Sequence, residues 1–165
     1  MKEINTVQII KNGLLECFKN GWYYKPKDIP GVVCIRQKGV WVPTRFTPKN
    51  PIDIIFFWNS NLLAIEAKIM KRNLIPFDIV KEHQAKALID ISLNNGSSYV
   101  AIHYWEPRSE SIIYFIDIFD FLHWKKNAGR KSITKEMLKT NNHVSFSLNV
   151  FKNKINFDKT FILGI

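Results

Sequence analysis

Cysteine is scarce in this chain. Cys17 and Cys34 are the only two, with no CxxC pair and no histidines at ligand spacing. This argues against a structural zinc site and makes free thiols in a cytoplasmic protein the expectation. No apolar run approaches the roughly 18 residues needed to span a bilayer. The opening MKEINTVQII has neither the apolar core nor the cleavage signal of a secretory peptide. No GxGxxG or GxxxxGK[ST] pattern occurs, so a nucleotide-binding loop has no support. Internal repeats, low-complexity tracts and Gly/Ser/Pro-rich linkers are also missing, and one domain over residues 1–165 is expected. Acidic residues are in deficit, with 14 Asp and Glu against 24 Lys and Arg, a formal net charge of +10. Such a field attracts polyanions and discourages acidic partners, which points to nucleic acid. A solvated lysine-rich surface would give the same count.

Apolar residues make up 46% of the chain and aromatics 13%, enough for a real core and too many for disorder. Ile4, Val7, Ile10, Leu14 and Phe18 recur at helical spacing, so a helix is predicted over 4–20, with Gly21 at its end. KPKDIPG (25–31) reads as a loop. VVCIRQ and VWVPTRF, separated by Lys38 and Gly39, read as a basic β-hairpin. Pro43 confines its second strand to an edge or a bulge. IDIIFFW (52–58) and LLAIEAK (62–68) are strand-like and joined by the turn Asn59-Ser60-Asn61. A helix is predicted from Asp78, its N-cap, to Leu93, with Ile79, His83, Ala87 and Ile91 on one face and His83 packed in the core. SYVAIHYW and SIIYFIDI make a further strand pair, FDFLHWKK a short helix, Ser132 a helix start and HVSFSL a last strand. The element order predicts an α/β fold with a mixed central sheet flanked by helices.

The pair 52–68 carries the chemistry. Alternate side chains of a strand share a face, so Leu62, Ala64, Glu66 and Lys68 lie together. Folding about Ser60 brings Asp53 opposite Glu66 or Ala67, where facing Cβ atoms are about 5 Å apart. Two carboxylates this close repel, and one must take up a proton unless a cation joins them. Magnesium is the natural cation, because it prefers oxygen ligands and keeps waters and substrate phosphate. Held there it can activate a water and stabilise charge on a phosphodiester, with a lysine to orient that water or bind the phosphate. Surroundings poor in His and Cys disfavour zinc and iron. A salt-bridge cluster at a strand end is the alternative, since such pairs are common at surfaces.

Pro51-x-Asp53 followed by Glu66-x-Lys68 resembles the PD-(D/E)xK nuclease signature. Downstream come Ile75-Pro76-Phe77, His83-Gln84, Phe119-x-Phe121-x-x-Trp124 and Gly129-Arg130-Lys131-Ser132-Ile133. That order is similar to the RecU family of bacterial Holliday junction resolvases, over residues 50 to 140.

The resemblance implies a restriction-endonuclease-like core and a homodimer that nicks four-way DNA junctions symmetrically. Asp53 and Glu66 would be ligands of Mg2+, with Mn2+ able to substitute, and Lys68 the catalytic lysine. Gln84 would face the site and support the metal shell or the water, unless it is a plain surface residue. Arg130 and Lys131 would touch the DNA backbone or fix the C-terminal part, or form a solvated basic turn. Glu16 is the candidate for an additional acidic residue on the first helix, unless it simply faces solvent. Residues 32–50, with Arg36, Lys38 and Arg45, occupy the place of the family's stalk, in a shorter form. Lys71 and Arg72 extend the basic set. The family's N-terminal extension is missing, which suits a compact phage or mobile-element version. The rival functions are a nuclease of the same superfamily acting on duplex or flap DNA, and a non-catalytic DNA-binding protein.

Overall fold

The computed structural model describes residues 5–25, 33–37, 40–45, 51–70, 74–105, 111–140 and 143–158. Helix α1 spans Thr6–Cys17. It starts there because Asn5 Oδ1 accepts the Gln8 N–H at 3.2 Å, closing one of the free donors of a helix N-terminus. It ends at Phe18, and Gly21 follows in a turn where its N–H donates to the Phe18 carbonyl at 2.8 Å. A Cβ on Gly21 would overlap the Phe56 ring, so this close approach requires glycine.

Strands β1 (Trp22–Tyr24), β4 (Ile54–Trp58), β5 (Asn61–Met70), β7 (Ser97–Tyr104), β8 (Ser111–Asp117) and β10 (Phe146–Val150) form a six-stranded sheet in the order β1-β4-β5-β7-β8-β10. The pair β5–β7 is parallel and the other neighbours are antiparallel. A parallel pair needs a long crossover, and helix α2 (Glu82–Leu93) lies in it. β2 (Val33–Gln37) and β3 (Val40–Arg45) make the expected hairpin, with a register shift beside Pro43. β6 (Leu74–Pro76) pairs with β9 (Ser132–Thr134) in a small second sheet.

The period of two in β5 divides the core. Leu63 and Ile65 join Ile10, Leu14 and Phe18 of α1 on one face. Ala64 joins Leu88 of α2, Phe121 and Trp124 of α3 (Ile118–Asn127) and Leu138 of α4 (Lys135–Thr140) on the other. The mixed sheet flanked by helices is thus as the sequence predicts. Among the described residues no helix is long and apolar enough to cross a membrane.

Three local expectations are corrected. The crossover helix begins at Glu82 and not at Asp78, which lies in a 3-10 turn over Phe77–Ile79. Burial of Phe77 and Val80 outweighs the capping preference of Asp78. His83 is exposed, and the core histidine is His103, fully buried on β7. Ser132 opens a strand, because Ile133 is buried opposite Ile75. The helix starts three residues on, where Thr134 Oγ1 accepts the Met137 N–H at 3.2 Å. The short strands β1 and β6 have no counterpart in the sequence pattern.

His103 Nδ1 meets Thr6 Oγ1 at 2.7 Å and ties the start of α1 to the sheet. Burial holds its pKa down to about 4. A folded-state value below the unfolded one means the neutral ring stabilises the fold above about pH 6.5. That contribution is lost as pH falls toward 4. Thr6→Val leaves the ring nitrogen without its partner and is expected to cost about 1–3 kcal/mol, measured as a shift in urea unfolding at pH 7.

Candidate active site

The β4–β5 ladder stops at Ile54 opposite Ile65. Asp53 sits just before it, and its Oδ2 accepts the Ala67 N–H at 2.9 Å. This carboxylate therefore fastens β4 to β5 at the point where the ladder ends. Beyond it, Glu66–Met70 continue along β7. Glu66 follows Ala64 on the face covered by α2, so the helix closes over the carboxylate and only 2% of the residue is exposed.

Glu66 Oε1 accepts from Lys68 Nζ at 2.6 Å and from Gln84 Nε2 at 2.6 Å. Gln84 Oε1 in turn accepts from Lys68 Nζ at 3.2 Å and from the Lys81 backbone N–H at 3.0 Å. The Gln84 amide thus caps its own helix and holds both charged groups of β5. Glu66 Oε2 is buried without a hydrogen-bond partner. Burial pushes the Glu66 pKa up to about 7, and the Asp53 charge adds to this against the lowering effect of Lys68.

A buried carboxylate oxygen with no partner is costly. A hard divalent cation between Glu66 and Asp53 would satisfy it and cancel the repulsion of the pair. The residues present therefore fit such an ion. No group of three His, Cys, Asp or Glu residues suited to a metal occurs among the described residues. Two carboxylates, with water and phosphate completing the shell, is a mode magnesium accepts.

The structure brings Asp53, Glu66, Lys68 and Gln84 together. It does not bring Glu16 to them. Glu16 is exposed on α1, with its carboxylate 3.6 Å from Lys154 Nζ beyond β10. Arg130 and Lys131 line an open cavity of about 400 Å³ with Pro76, Phe77, Asp78 and Lys125. The Lys131 carbonyl accepts the Phe77 N–H at 3.0 Å, so the basic turn is anchored to the entry of α2. Arg36 lies on β2 and Arg45 on β3, while Lys38, Lys71 and Arg72 fall outside the described residues. Tyr23 enters the site's electrostatics unannounced by the sequence. Its hydroxyl pKa is raised by burial and then by the Asp53 charge.

Residues 25–159 match the model of the family described as Recombination protein U. No curated protein matches the chain. Among solved structures, Hjc, a Holliday junction resolvase from the archaeal hyperthermophile Archaeoglobus fulgidus, is similar at 18% identity. That likeness covers 80% of this chain and 90% of the Hjc chain, with a TM-score of 0.42. The family match spans most of the sequence and includes every residue of the carboxylate site, and the chain belongs to the Recombination protein U family.

Proposed function

We propose that this protein is a Mg2+-dependent endodeoxyribonuclease that resolves four-way DNA junctions, acting in the cytoplasm as a homodimer that nicks two opposed strands. The observation that carries the nuclease reading is Glu66. One of its oxygens is held by Lys68 and Gln84, and the other is buried and unpartnered, on a carboxyl that feels the Asp53 charge. Family membership supports the junction as substrate. A twofold dimer would match a twofold junction, one site per strand.

Asp53 and Glu66 would hold the ion, with Mn2+ able to replace Mg2+. When bound, the ion supplies an activated water and neutralises charge developing on the phosphodiester. Lys68 carries a cation on the same face as Glu66 and in contact with it. Its ammonium orients the water or a phosphoryl oxygen for in-line hydrolysis. Gln84 keeps Lys68 and Glu66 in register with each other. Arg130 and Lys131, with Lys125 at the same cavity, would take backbone phosphates. Arg36, Lys38 and Arg45 of the hairpin and Lys71 and Arg72 would extend that contact. Binding through so many cations weakens steeply with salt.

Asp53→Ala and Lys68→Ala are each expected to lower junction nicking by about 100-fold or more while junction binding persists. Gln84→Ala, which loosens the support without removing a ligand, is expected to cost about 10- to 100-fold. Labelled four-way junction, duplex and flap are compared with and without magnesium. Equal cutting of duplex would overturn the junction reading, and binding without cutting in any protein would overturn the nuclease.

The ion and the proton compete for Glu66. Because its folded-state pKa is raised to about 7, metal-free protein is stabilised by the protonated form at low pH and loses that contribution as pH rises through 7. Metal-free thermal stability is therefore expected to fall as pH rises from about 4.5 to about 7. Added magnesium should stabilise more at pH 8 than at pH 6, and Glu66→Gln should abolish both trends in melting curves.

A further inference from the structure

Trp22 and Tyr24 are 60% and 46% exposed on the edge strand β1, and Phe57 beside them on β4 is 45% exposed. The Trp22 and Tyr24 rings stack at 5.8 Å between centroids and 7° between planes. Trp22 faces Phe57, and Tyr24 faces Ile55, which faces Ala64. Directly opposed residues share a sheet face, so all three aromatics lie on the face that carries Glu66 and Lys68. Tyr23, by contrast, turns to the α1 side. The row Tyr24–Ile55–Ala64 is two residues from Asp53 and Glu66, roughly 7 Å along the strands.

Large exposed aromatic patches mark binding surfaces, and the outer face of a stacked pair of rings can take a further flat ring. A protein subunit seated here would lie across the approach to the carboxylates. A nucleic-acid strand reaching the site along the β1 edge would instead pass over these rings. Exposed Lys25 directly follows Tyr24 and adds positive charge at this end of β1. We infer that Trp22 and Tyr24, flanked by Phe57, form a stacking platform for an unpaired nucleobase next to the phosphodiester to be cut. This rests on the nuclease reading above. It adds a substrate requirement: the strand must present a base that can leave its stack, as it can at a branch point and cannot in closed duplex without the cost of unpairing. Every base has a π face, so the platform selects structure rather than sequence.

The test uses a four-way junction carrying 2-aminopurine at single positions on either side of the nick, titrated with the full chain in calcium to hold off cleavage. Wild type should change the fluorescence of one position and leave its fully paired duplex counterpart unchanged. The double variant Trp22→Ala/Tyr24→Ala should lose that signal and weaken junction binding by about 10-fold or more. Trp22→Phe should restore most of both. Both variants are checked for folding by circular dichroism and for oligomeric state by sedimentation. A double variant that is folded and dimeric, with wild-type junction affinity and signal, would overturn the platform and leave the nuclease standing. Loss of the dimer with unchanged binding per dimer would assign the face to a second copy of the chain and overturn it too. Wild type that neither binds nor cuts the junction would overturn both readings.

Discussion

Burial of Glu66 is the constraint on which the site depends. A carboxylate on the covered face of a sheet must be satisfied or neutralised, because an isolated buried charge is expensive. The fold satisfies half of it. Lys68 and Gln84 take one oxygen and leave the other. Had both been paired, the cluster would be a plain strand-end salt bridge. Because one is not, the cluster keeps a buried carboxylate oxygen without a hydrogen-bond partner, on a carboxyl that also feels the Asp53 charge.

The two faces of the sheet divide labour accordingly. The α1 face is a closed apolar core whose one notable polar pair, Thr6 with His103, is fully buried. The α2 face mixes core with chemistry. Leu88 anchors the helix to the sheet, and one turn earlier Gln84 reaches the site. The helix is therefore positioned by packing and read out through a single amide. The mini-sheet of β6 and β9 then brings the basic turn at Arg130 and Lys131 to the entry of that helix.

The central hairpin was the legible part of the sequence. Its turn, its alternation and the opposition of Asp53 to the end of β5 follow from a period of two and a short Asn/Ser turn, and β4–β5 has that register. Gln84 was legible through its motif, though its second role as the cap of α2 was not. Elements whose ends are set by tertiary burial were harder. Asp78 looks like a cap but sits between buried Phe77 and Val80. Ser132 looks like a helix start but precedes buried Ile133. His83 is exposed rather than packed because helical periodicity alone does not say which face meets the sheet. Tyr23, Trp22 and Tyr24 form a three-residue strand, too short for a periodic signal, and nothing local marks their nearness to Asp53.

The end of the described chain folds back over its beginning. Ile155 and Phe157 belong to the α1 core, a Cβ on Gly13 would come within 2.7 Å of the Ile155 side chain, and Cys17 Sγ donates to the Phe157 carbonyl at 3.1 Å. The Cys17 and Phe157 partners are 140 residues apart, so this part of the α1 cover closes only after the segment between them has been made. While the chain emerges, the α1 residues that meet β5 find their partners early, and those that meet Ile155 and Phe157 wait for residues still inside the ribosome. Closure of that face thus becomes a late event of high sequence separation, the kind that slows folding. The interval leaves the growing chain with an exposed apolar helix that a chaperone can recognise.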